Sequence, residues 1–277
     1  MTATLNISIA NRVLVLIALL ALAPVLLLVV ELPSRNITLN FLGSALSLNL
    51  NTDSLLILFL PVLAIAGVDW VLRDHPFVRA GQVPFLFPFW MAPALMAFAV
   101  GILLTRLTSW PLWIAALSIG IVLIGVLVVA EYVTISPNAN NYAVARLTVT
   151  ALSYLIAFGL FTQIYSARER SIVSATTTTL ISIALSLDLL GPHIIGLRRA
   201  GMFSLIIGWL VGICTWAMNY WNISNLSGGV LLLMVFYVSV GLVQQHLQER
   251  LSRNVLIEFG VVALISVIVA WQLANIR

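Results

Sequence analysis

Long uninterrupted apolar runs dominate this chain and leave it few ways to fold. About nine of them follow one another, each close to the ~20 residues that a helix needs to cross a hydrocarbon layer. Hydrophobic residues make up 62% of the 277 positions and charged residues only 8%, against roughly 25% charged in a soluble domain. A water-soluble fold would have no polar coat for so much apolar surface. A transmembrane β-barrel would show ~10-residue alternating segments instead of continuous runs. The sequence therefore predicts an all-α, polytopic transmembrane bundle, a single domain over 1–277.

The predicted spans are 12–31, 54–73, 84–106, 110–132, 143–165, 171–190, 200–221, 228–246 and 255–275, with eight to ten as the range. Breakers support the cuts: Pro33, Asp74-His75-Pro76, Ser136-Pro137-Asn138, Gly191-Pro192 and the stretch Asn225 to Gly229. Pro84 reads as a helix start, and Pro88 and Pro93 as kinks in the third span. The turn Leu107 to Ser109 is so short that spans three and four should form an antiparallel hairpin. Over 36–52, apolar Ile37, Leu39 and Phe41, then Leu46, Leu48 and Leu50, alternate with polar neighbours around Gly43-Ser44. Period-two alternation around such a turn predicts a short extracytoplasmic β-hairpin-like loop. An irregular interfacial loop is the alternative.

An N-terminal signal peptide is a competing reading of the first run. Arg12 precedes Val13 to Val30, and Ala21-Leu22-Ala23 has the look of a cleavage site. The run is longer than the ~7–15 residues of a signal core, so it is read as a retained helix.

The positive charges number 13 and all are arginine. Without lysine there is no retinal Schiff base, no lysine proton relay and no lysine nucleophile. The net charge of +4 suits cationic inner loops. No basic run exceeds Arg198-Arg199, so no nucleic-acid partner is expected. Cys214, the single cysteine, lies inside an apolar run; it rules out an intrachain disulfide and reads as a small core residue.

Let the N-terminal side be side A. Nine spans place Arg12, Arg73, Arg79, Arg146, Arg198, Arg199, Arg250 and Arg253 there, and Arg35, Arg106, Arg168, Arg170 and Arg277 on side B. The excess on side A predicts a cytoplasmic N-terminus and an external C-terminus. Trp110, Trp113, Tyr220, Trp221 and Trp271 fall at side-B ends, and Trp70 and Tyr132 at side-A ends, as an interfacial aromatic belt. Trp209 and Trp216 lie deeper, two helical turns apart. Ser204, Gly208 and Gly212 form a small-residue stripe of the kind that lets two helix backbones approach closely. The sixth span, with Thr176 to Thr179 among several serines, is rich in hydroxyls that can bond their own helix or a neighbour.

When most side chains are lipid-like, the rare ionisable groups bear most of the chemical information. Asp69, Glu131, Arg146, Asp188, Arg198, His246 and Glu258 all fall near side A, Asp188 and Glu258 about one turn inside their spans. One reading is a polar cup at the cytoplasmic interface, able to hold a lipid headgroup, a cofactor edge or a partner's loop. The other is helix-end snorkelling and pairing, such as Glu131 with Arg146. His75, His193 and His246 gather at the same face and are candidate ligands for a pigment or metal. The sequence has no zinc-binding histidine pair, no doubled aspartate motif of the intramembrane prenyltransferase kind and no phosphate-binding glycine loop. The middle of the spans is nearly free of ionisable groups, which argues against a proton-coupled transporter.

Several short stretches resemble a family of bacterial multi-pass integral membrane proteins of unknown function. They are Gly67-Val68-Asp69, Leu72-Arg73-Asp74-His75-Pro76, Ala130-Glu131-Tyr132-Val133, Trp216-Ala217-Met218-Asn219-Tyr220-Trp221 and Phe236-Tyr237. The resemblance implies a multi-pass fold over most of the chain and no particular activity. The favoured role is a non-catalytic accessory or scaffold subunit of a larger membrane complex, in membrane lipid and beside other membrane subunits, with pigment or electron-transfer association as one form of it. A membrane enzyme acting on a lipid or isoprenoid at the cytoplasmic interface and a transporter are the alternatives.

Overall fold

The computed structural model describes residues 2–29, 35–41, 44–167, 170–191, 196–221, 223–249 and 257–262, with 264, 265, 268 and 272. The elements are α1 (Thr2–Val29), β1 (Arg35–Phe41), β2 (Ser44–Leu50), α2 (Thr52–Leu72), α3 (Pro76–Arg79), α4 (Pro88–Arg106), α5 (Trp110–Thr134), α6 (Tyr142–Ala167), α7 (Ser171–Leu189), α8 (Leu197–Met218) and α9 (Asn225–Leu247). Among the described residues, eight helices are long and apolar enough to cross a membrane. The chain is a multi-pass helical membrane protein. The expected ninth span, 255–275, lies mostly outside the described residues, of which 257–262 are helical. Strands β1 and β2 pair antiparallel from Arg35↔Leu50 to Phe41↔Ser44. Packing divides the chain into two compact units, Met1–Arg146 and Leu147–Arg277.

In the first unit, α1 packs on α2 and α5, and α4 packs on the same two helices. Asn51 starts α2 by accepting the Ser54 backbone N–H at 2.9 Å, which satisfies one of the orphan donors of a helix start. The core is aliphatic: Leu16 and Leu20 of α1, Leu60 and Val68 of α2, and Ile124 and Leu127 of α5 are almost wholly buried. In lipid this burial gives little hydrophobic drive, so close contact must do the work. Gly101 shows it, since a Cβ there would stand 3.3 Å from the Ile57 Cα on α2. Several expected boundaries move: α1 starts at Thr2, and the stretch Asn225 to Gly229, read as a breaker, is the start of α9, capped by Ser224. The third span starts at Pro88, not Pro84. Pro88 occupies the first turn, where its missing N–H costs nothing, and does not kink the helix; Pro93 is the proline inside it.

In the second unit, α7 and α8 form the tightest pair. A Cβ on Gly208 would lie 2.8 Å from the Thr179 carbonyl oxygen, and one on Gly212 would lie 2.0 Å from the Thr179 Oγ1. Ser204, on the same stripe, is fully buried. Thr176, Thr177, Thr178 and Thr179 each donate to the carbonyl four residues earlier, at 2.7 to 3.0 Å. Two polar links tie α7 to α8: Thr178 with Thr215 at 2.9 Å, and the Asn219 amide donating to Ser174 at 2.7 Å. From α6, the Tyr165 hydroxyl donates to the carbonyls of Met218 and Trp221 at 3.1 and 3.2 Å, adding to the backbone N–H that each already accepts.

Candidate functional site

Most of the described ionisable groups of the first unit, Asp53 and Arg106 apart, collect at the end shared by the start of α1 and the close of α2. Here α2 ends at Leu72, and Pro76 imposes extended backbone on His75 (φ −65°, ψ 133°). The chain thus turns sharply into α3 and brings Asp74 and Arg79 together. Asp69 accepts from the Arg73 guanidinium at 2.5 Å, one helical turn on. Asp74 pairs with two cations, Arg12 of α1 and Arg79 of α3. Arg12 also donates to the Trp70 carbonyl at 2.9 Å and lies 4.8 Å over the Trp70 ring. It therefore ties the first helix to the second through charge, hydrogen bond and ring face together.

His75 is the best-defined polar residue of this end. It is 4% exposed and packs edge-on against Tyr132, with ring centres 4.5 Å apart. Its Nδ1 accepts the Phe77 backbone N–H at 3.2 Å, so the ring proton belongs on Nε2. That nitrogen lies 3.2 Å from the Ser136 hydroxyl, beyond the end of α5. Both nitrogens are engaged within the protein. Desolvation by burial pulls the ring from its ordinary 6.5 to about 4, so it is neutral at physiological pH. Nearby, Glu131 is fully buried in α5; the Thr134 hydroxyl donates to its carbonyl at 2.9 Å and lies 3.4 Å from its carboxylate. Arg146, half-buried, lies near the start of α6.

The remaining expected site residues belong to the second unit. Asp188 is buried in the last turn of α7. Arg198 is exposed at the start of α8, and His246 is exposed in the last turn of α9, its ring 5.9 Å from that of Phe203. Gln244 donates to the Leu189 carbonyl at 3.1 Å, closing the α7 end against α9. Glu258 is exposed in the helical stretch 257–262. His193 lies outside the described residues. Among the described residues no group of three or more His, Cys, Asp or Glu stands together as a metal site.

Sequence spacing singled out Asp69 but missed Asp74, Arg12, Arg79 and Ser136. Asp74 read as a turn residue, because its cations come from other elements. The His-Pro step was the available signal, since it forces the turn that assembles them.

The family model described as "Protein of unknown function (DUF5656)" matches residues 32–272. The chain belongs to this family. The matched stretch includes α2 to α9, and with them every expected site residue from Asp69 to Glu258. No curated protein and no solved structure matches the chain.

Proposed function

We propose that this member of the family is a non-catalytic subunit that packs against other membrane proteins, with the Asp74 end of its first unit facing the cytoplasm. The observation that supports this most is the outer face of α8. Trp209, midway along the helix, is 69% exposed, and Trp216, two turns on, is 53% exposed. Indoles favour the membrane interfaces, where the ring N–H finds a partner. A tryptophan at mid-helix depth gains from a protein neighbour what lipid tails do not give. Met202, Leu205 and Ile213 complete an exposed stripe of large side chains with the same helical spacing. Tryptophan is also the residue most enriched among energetic anchors of protein interfaces. The ion pairs of Asp69 and Asp74 fit a structural use of charge at the helix ends.

Extraction of the full chain from its native membrane in gentle detergent, followed by native mass measurement, tests the reading. Defined co-purifying subunits are expected. Trp209→Ala should release them while the chain still accumulates in the membrane. A wild-type chain recovered alone would end the proposal, and so would a complex that ignores the substitution.

A further inference from the structure

At the other end of the first unit, opposite Asp74, a cleft of about 280 Å³ opens among the helix ends. Leu28 of α1 and Leu104 of α4 contribute apolar wall, and Asp53 of α2, Trp110 and Trp113 of α5 and the connecting residues around Thr108 also line it. Its volume is near the low end of the ~300–1,000 Å³ range of small-ligand pockets. It suits a headgroup-sized moiety rather than a large cofactor.

The lining chemistry is selective. Asp53, in the first turn of α2, brings a carboxylate. Trp113 is 7% exposed and fixed, whereas Trp110, 63% exposed, stands free of the helix packing. The two indoles meet edge to face with centres 5.9 Å apart. Indole faces and a carboxylate both attract cations and repel anions. Ser109 caps α5 without a side-chain bond to the helix and lines the same cleft. Hydroxyls of this kind can accept from an N–H donor.

We propose that this cleft holds the ammonium headgroup of a zwitterionic phospholipid, with ethanolamine as the type. The lipid source follows from position. The cleft sits at the ends of membrane-length helices, between interfacial tryptophans and exposed apolar residues such as Val25 and Leu103, along which acyl chains can lie. Arg106, exposed in the last turn of α4, places a cation at the same end for the phosphodiester next to the ammonium. Anionic lipids without an amine gain nothing from Asp53 or the indole faces. The inference does not depend on partner subunits and stands whether or not they are found.

The test uses the full chain in nanodiscs of equal parts phosphatidylethanolamine and phosphatidylglycerol, with retained lipids counted by native mass spectrometry. The wild type should keep the ethanolamine lipid in preference. Asp53→Asn and Trp110→Ala, both at exposed positions that leave the core intact, should each cut the preference by roughly fivefold. Equal retention of both lipids by the wild type overturns the proposal. So does undiminished preference in both variants. In nanodiscs of phosphatidylglycerol alone, saturable fluorescence change at Trp110 on adding free ethanolamine would assign the cleft to a soluble amine and overturn the lipid assignment.

Discussion

His75 does two jobs with one ring, and both require it to be neutral. Its Nδ1 caps the short α3, and its Nε2–H reaches Ser136 past the end of α5. Burial lowers its pKa from 6.5 to about 4. Between those values the unfolded chain takes up a proton that the folded chain refuses. The stabilisation is therefore complete above pH 6.5 and is lost as pH falls towards 4. Thermal unfolding in detergent should drop between about pH 7 and pH 5, where most carboxylates remain charged. His75→Gln should be less stable at neutral pH and show a flatter dependence across this window. An unchanged slope would mean that the ring is not the titrating group. Asp74 makes a parallel case. Asp74→Asn removes the counter-charge of Arg12 and Arg79 together, and a loss of about 1 kcal/mol is expected, because the pairs are partly solvated.

At the scale of elements, helix contacts rest on what is missing from a side chain as much as on what is present. Gly208→Val would drive a branched side chain into the Thr179 carbonyl, a backbone atom with little room to move. A loss of ~1–3 kcal/mol is expected, the usual cost of overpacking. Gly201→Ala on the same helix meets nothing within 4 Å and should be neutral or slightly stabilising. Melting temperatures of the two variants in one detergent make the comparison. Tyr165→Phe, which keeps the ring but removes both hydrogen bonds to the end of α8, should cost roughly 0.6–1 kcal/mol.

The helices themselves are legible in the sequence, because hydropathy is a local property and each run exceeds the length that a membrane demands. The start of α4 is less so. Pro84 and Pro88 are equally suited to a first turn, and the irregular stretch between them has no local marker. Partners are harder still. Nothing in the spacing of Arg12, Asp74 and Arg79 reveals that they meet, since the meeting depends on which helices lie side by side. Asp188 and Glu258 look alike in sequence, each about a turn within an apolar run. One is buried and the other exposed, and which face a helix turns to its neighbours decides it.

For the whole molecule, sidedness can be checked directly. With Cys214→Ser as background, a cysteine at Gln82, beyond α3, and one at Ser109, before α5, should lie on opposite faces of the membrane. A membrane-impermeant thiol reagent added to intact cells should label Ser109→Cys and spare Gln82→Cys; the reverse pattern would invert the cytoplasmic assignment of the Asp74 end. Among the described spans, insertion turns on the least hydrophobic. That is α7, with a mean hydropathy of 1.5 in its best window against 2.8 for α5. Side-chain scales count Thr176 to Thr179 as groups seeking water. Yet each hydroxyl is already bonded to the helix's own carbonyls, and Thr178 is wholly buried against α8, so few of these groups still call for water. Once coiled, α7 is greasier than its letters, and the cost of bringing it out of water falls chiefly on the moment before the helix closes.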